Sequence, residues 1–261
     1  MDYHPNMAFA MANVASLKSQ VSDAEWQARV DLAASYRLVA RFGWDDMLST
    51  HISARVPDED GTLLINPYGI LFEQVTASCL VKVDYHGKLL SESPFPINPA
   101  AIVIHGSIMQ ARPDVVSALH MHTTSGVAVS THRDGLMPIN QRALYFQDIL
   151  AYHDYEGLAL ESDERVSLVR NLADKWALIL RNHGTLTVGR TIAQAFTYAY
   201  MLERACEYQL ATLASGVPLT ELSNEIKARV PKQATHFTFA GTLEWPALLA
   251  LLDAEDDSFR S

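Results

Sequence analysis

Two histidines separated by one residue, His120-Met121-His122, close the apolar run Val115-Val116-Ser117-Ala118-Leu119. Such a run reads as a buried strand, and on a strand residues i and i+2 point to the same face. Two imidazoles on one face at a strand end suit two ligands of one ion, because the neutral ring offers a lone pair near its pKa. A third ligand has to come from elsewhere in the chain. His183, in the turn Asn182-His183-Gly184, is the natural donor, with Gly184 permitting a tight backbone path. Taken separately, His-x-His is also met as a plain hydrogen-bonded pair and Asn-His-Gly as a plain turn. Spacing alone does not choose between these readings.

The elements that must position these groups are legible at coarse grain. Ser22 and Glu25 form a Ser-x-x-Glu capping box ahead of a helix whose apolar residues, from Trp26 to Phe42, recur at helical spacing until Gly43 stops it. Short β-branched stretches follow at 50–56, 63–66 and 80–85, the last answered by 88–90 across the turn His86-Gly87. Pro94, Pro96 and Pro99 break the chain before a helix at 100–111, and the histidine strand spans 115–122, ahead of a small-residue helix at 123–131. A short strand at 158–159, a helix at 163–174, strands at 177–180 and 186–188, and a long helix at 192–213 complete the pattern. Hairpin-connected strands among helices favour a mixed, mainly antiparallel sheet with helices on both faces. We read residues 1–22 as an N-terminal arm, 23–245 as one domain and 246–261 as a solvated acidic tail.

Composition narrows the function classes. With 261 residues, 49% of them hydrophobic and 19% charged, the chain can bury a large core. A formal net charge of −10 repels phosphate backbones and anionic lipid, so nucleic acid and membranes are poor partners and a small molecule is the expected one. The two cysteines, Cys79 and Cys206, exclude a disulfide framework and point to a cytoplasmic location. No signal peptide and no apolar run of bilayer-spanning length is evident. No dinucleotide fingerprint, phosphate loop or nucleophile elbow occurs either.

The segment from Arg112 through His122 resembles the metal-binding segment of the class II aldolase/adducin family, and that from Arg181 through Gly189 resembles its third-histidine segment. Stretches at 49–56, 64–84 and 193–209 resemble the family in the same order, so the likeness covers roughly residues 25–215. It implies a three-layer α/β/α sandwich around a mixed, mainly antiparallel sheet. It also implies one divalent metal per subunit on His120, His122 and His183, zinc by the family's habit with manganese, cobalt or magnesium as alternatives, and a homotetramer with active sites at subunit interfaces.

Departures from the sugar-phosphate aldolases are as informative as the match. Those enzymes carry an acid/base glutamate four residues before the histidine matching His105, where this chain has Ala101, which cannot move a proton. Their phosphate-binding Gly-Asn pair falls at Thr50-His51, and their Ser-Ser pair at Pro99-Ala100, so the phosphate site reads as lost. His51, in the former phosphate pocket, and Tyr152 are the candidate catalytic residues; Glu73 and Arg142 are the candidate substrate-binding residues. His105 is expected to satisfy a buried hydrogen bond instead. The function expected on these grounds is a metal-dependent carbon–carbon lyase of retro-aldol type, acting on a non-phosphorylated hydroxy- or oxo-acid. A metal-dependent decarboxylase of a hydroxylated acid, aromatic acids included, is the first alternative, and a non-catalytic adducin-like scaffold the second.

Overall fold

The structure, a computed structural model, describes residues 17–158, 162–234 and 240–261. Helix α1 (Asp23–Arg41) starts where expected: Ser22 Oγ accepts the Glu25 N–H at 3.1 Å. The sheet is built from β1 (His51–Arg55), β2 (Thr62–Ile65), β3 (Val81–Asp84), β4 (Ser117–Met121), β5 (Leu150–His153), β6 (Ala177–Leu180) and β7 (Gly184–Gly189). These strands lie in the order β3-β2-β1-β4-β7-β6-β5. Every neighbouring pair is antiparallel except β5 and β6. The mixed, mainly antiparallel sheet with helices on both faces is thus the architecture observed.

Strand alternation sorts the core into two layers. Ile52 and Ala54 of β1, with Leu119 and Met121 of β4, face α1, the long helix α6 (Ile192–Ala214) and the C-terminal helix α8 (Glu244–Glu255), in one cluster with Tyr36, Phe196 and Trp245. Ala118, Leu178, Leu186 and Val188 face the other way, toward α2 (residues 99–111) and α5 (Ser162–Leu172). Helix α2 is a run of three pieces: α-helical Pro99–Ala101, π-helical Ile102–Gly106 and α-helical Ser107–Ala111. His120 shares its face with Ala118, so the histidine pair projects on the α2 side of the sheet. The remaining helices are α3 (Thr124–Ser130), α4 (Gln141–Tyr145) and α7 (Asn224–Ala234).

Three expectations need correction. Residues 246–261 are no solvated tail: α8 and the 3₁₀ turn Asp257–Arg260 are docked on α1, with Phe259 fully buried and its carbonyl accepting the Ala77 N–H at 2.9 Å. Burial of Trp245, Leu252 and Phe259 holds this end on the domain, while its acidic groups stay at the surface, Glu255 paired with Arg41 and Asp253 with Arg260. The strand expected at 158–159 lies instead at Leu150–His153; Leu158 is in a bend, and Ala159 falls outside the described residues. Stretch 88–90 turns back on β3 as expected, with Leu89 bridging Val83 and the Leu90 N–H donating to the Lys82 carbonyl at 2.8 Å, but it forms no strand of its own. Most of the expected N-terminal arm also falls outside the described residues. Among the described residues no helix is long and apolar enough to cross a membrane.

Candidate metal centre

The site is assembled by strand register. His51 on β1 is the Cα partner of His120 on β4, so both side chains emerge from the same level of the same face, with ring centroids 5.1 Å apart. His122 follows two residues on, just past β4. On the other side β7 pairs with β4, and the β6–β7 turn carries His183 to the same end of the sheet. Asn182 takes the left-handed conformation there, at φ 58°, a region asparagine enters more readily than most residues. Gly184 serves a different purpose from a tight φ: a Cβ on it would lie 2.4 Å from the Met121 carbonyl oxygen and 3.1 Å from His122 Cδ2. Only glycine lets β7 approach the ligand strand so closely.

The three rings converge. Centroid separations are 4.6 Å for His120–His122, 4.7 Å for His120–His183 and 4.8 Å for His122–His183. One nitrogen from each lies within 4.8 Å of the others. His120 Nδ1 lies 2.9 Å from the Thr185 carbonyl oxygen, and His122 Nδ1 lies 3.1 Å from Asp46 Oδ2. Both partners are acceptors, so both imidazoles spend their single proton on Nδ1. Their Nε2 atoms then face each other at 2.8 Å, a separation that a shared proton or a metal ion would bridge. Burial is the main cause that holds His120 well below the usual imidazole range, reinforced by His51, His183 and His122; His183 is pushed down to about 4, by burial first and then by His122 and His153. Three converging imidazole nitrogens over a buried floor match what a divalent ion such as zinc requires, with N–metal distances of about 2.0–2.1 Å.

Behind the trio lies a second imidazole chain. His51 Nδ1 is 3.1 Å from His105 Nε2, and His105 Nδ1 is 2.8 Å from Ser53 Oγ. His105 sits in the π-helical piece of α2 and, as expected, satisfies buried hydrogen bonds. Ala101 is fully buried in the apolar layer beside it.

The other candidates are held elsewhere. Tyr152 accepts the Leu136 N–H at 3.0 Å and lies under the Arg181 guanidinium, 4.6 Å from its ring centroid. Glu73 is exposed in the 3₁₀ turn Phe72–Gln74, whose Phe72 packs edge-on against Tyr36. Arg142 lines a separate cavity of about 470 Å³ with Tyr145, Trp176 and Tyr198. The structure adds two residues that the sequence did not single out: Asp46, on the loop between α1 and β1, and Tyr155, whose ring is 6.4 Å from that of His183. Nothing in the string Trp44-Asp45-Asp46 signals a ligand contact, because the partner is reached only through the fold.

Residues 30–210 match the family described as Class II Aldolase and Adducin N-terminal domain. The chain belongs to the class II aldolase/adducin family. A crystal structure of an aldolase II superfamily protein from Pseudomonas syringae superposes with a TM-score of 0.90 at 43% identity, covering 94% of this chain and 100% of that one. An L-fuculose 1-phosphate aldolase from Glaciozyma antarctica superposes with a TM-score of 0.79 at 26% identity, covering 98% and 100%. Mouse alpha-adducin is 43% identical over 191 residues, 72% of this chain but 26% of the adducin. The class II aldolase/adducin fold is therefore common to relatives named as enzymes and relatives named as adducins, and the fold by itself does not separate them.

Proposed function

We propose that this family member is a metal-dependent carbon–carbon lyase that cleaves a non-phosphorylated hydroxy- or oxo-acid by a retro-aldol reaction. The observation that carries the proposal is the convergence of His120, His122 and His183 beside a fourth imidazole, the buried His51. The trio would hold one divalent ion, zinc by the family's habit and manganese, cobalt or magnesium otherwise, and that ion supplies the electron sink for a developing carbanion. The proton traffic belongs to His51. With Nδ1 bonded to His105, its Nε2 is left to take the substrate hydroxyl proton as the carbon–carbon bond breaks and to return it to the carbon that becomes anionic. His105 and Ser53 hold that ring, and so the orientation of Nε2. No carboxylate at position 101 competes for the role.

Decarboxylation is the second reading, favoured by the apolar burial of Ala101: loss of carbon dioxide needs an acid to protonate carbon but no base to strip a hydroxyl. A pure adducin-like scaffold has no need of the trio. In a homotetramer with interface sites, Tyr152 or Arg142 would reach the substrate of a neighbouring subunit. Two unpaired cysteines are in keeping with a cytoplasmic setting.

The test is metal content by elemental analysis of wild type and a His120→Ala/His122→Ala variant, followed by a hydroxy-acid panel read for both aldehyde and carbon dioxide. About one ion per chain, lost in the variant, with aldehyde release supports the lyase. Carbon dioxide without aldehyde moves the assignment to a decarboxylase, and no ion after incubation with zinc or manganese removes both readings.

A further inference from the structure

The two ring nitrogens of His122 have different company. Nε2 faces His120, while Nδ1 lies 3.1 Å from Oδ2 of Asp46, on a loop brought in from far back in the chain. That loop is held against local preference. Met47, the next residue, has φ 50°, a left-handed conformation that costs any residue with a Cβ, and its side chain is 72% exposed, so packing of Met47 does not offset the cost. Asp46 itself is half in solvent, where an ion pair contributes little to stability. A strained loop ending on a weakly stabilising contact needs another reason, and the contacted atom supplies one.

We propose that Asp46 is a positioning residue of the metal centre. Its carboxylate accepts the Nδ1–H of His122, fixing the tautomer that presents Nε2 and making that nitrogen a stronger donor. His120 receives the equivalent hold from the Thr185 carbonyl, but a carbonyl carries no net charge. Among the described residues, Asp46 is the carboxylate hydrogen-bonded to the trio, and its full negative charge sets how tightly a dication is held. The proposal rests on the reading that His120, His122 and His183 bind a divalent ion, and it assigns to Asp46 no contact with substrate.

The test compares wild type, Asp46→Asn and Asp46→Ala for zinc affinity by competition with a chromogenic chelator. It also reads the His122 tautomer in the zinc-free protein by long-range nitrogen NMR. Asp46→Ala is expected to weaken zinc by about 10–100-fold and to remove the bias of His122 toward the Nδ1–H tautomer. Asp46→Asn should recover part of both, because its amide oxygen still accepts the hydrogen bond without the charge. Zinc affinity within about twofold of wild type in Asp46→Ala, with the tautomer unchanged, overturns the proposal and leaves the metal centre standing. A wild type that binds no zinc overturns both.

Discussion

His51 Nδ1 and His105 Nε2 lie 3.1 Å apart, with both rings buried, so one proton lies between those two nitrogens and, with no substrate bound, a further proton on either ring is a charge without a partner. Burial is the main cause that depresses both groups well below the usual imidazole range, with each ring's neighbouring histidines adding to it. The unfolded chain, with ordinary imidazoles near about 6.5, therefore binds more protons than the folded chain in mild acid. Their contribution is fully present above pH of about 6.5 and is lost as pH falls from there toward the depressed folded values. The zinc-free protein is expected to show a lower urea midpoint at pH 5 than at pH 7.5. A His51→Gln/His105→Gln variant should flatten that dependence; an equal slope in wild type and variant would refute the assignment.

Gly184 is a packing requirement placed at a ligand. A Cβ there would sit 2.4 Å from the Met121 carbonyl oxygen, so β7 must retreat from β4 at the level where His122 and His183 meet. Gly184→Ala is expected to cost about 1–3 kcal/mol of stability, the usual range for overpacking. It should also weaken zinc binding in the chelator assay, because the retreat moves one ligand relative to two others.

Position 101 offers a direct look at the missing carboxylate. Ala101 is fully buried among Ile102, Ile104 and Ile108. Ala101→Glu should destabilise the zinc-free protein, since a carboxylate there loses its hydration without gaining a partner. Saturating zinc should restore part of the melting temperature if the new side chain reaches the trio. An apo melting temperature unchanged from wild type would show that position 101 opens to solvent.

The C-terminal turn is structural. Phe259 is fully buried against the α1 face, the Ala77 N–H donates to its carbonyl, and the Ser78 N–H donates to the Ser261 carbonyl at 2.9 Å. Phe259→Ala is expected to cost about 3–5 kcal/mol by urea unfolding, as for other buried aromatics cut to alanine. A loss under about 0.5 kcal/mol, the range of surface substitutions, would restore the solvated tail.

What could be read in advance follows from what is local. The capped start of α1, the period-two placement of His120 and His122, and the stop after α6 are encoded by neighbours in sequence. Strand β5 escaped because Leu150, Ala151 and Tyr152 are only half-buried on a sheet edge, so no clean alternation marks them. Helix α7 carries Pro231 inside it, against the ordinary breaker signal, and α8 ends in acids whose basic partners lie elsewhere in the chain. Glu73 and Arg142 were singled out for their chemistry, and the fold holds one on an exposed turn and the other in a separate cavity. Asp46 was invisible for the converse reason: its chemistry is ordinary until β4 brings His122 beside it.

The π-helical piece Ile102–Gly106 holds one residue more per turn than the α-helical pieces that flank it. Removing a single residue there would allow α2 to run on as one regular helix. The excision would leave Ala101 and Ser107 facing nearly as they do, because five π-helical residues and four α-helical ones both sweep roughly 400°, and only the residues between them would be turned or lost. His105 lies inside that piece, so a change in the length of the gene by one codon would reach the imidazole chain behind the trio while sparing His120, His122 and His183 themselves. Among descendants of a common ancestor, such indels would be a route by which a hydrophobically intact fold gains or sheds its chemistry.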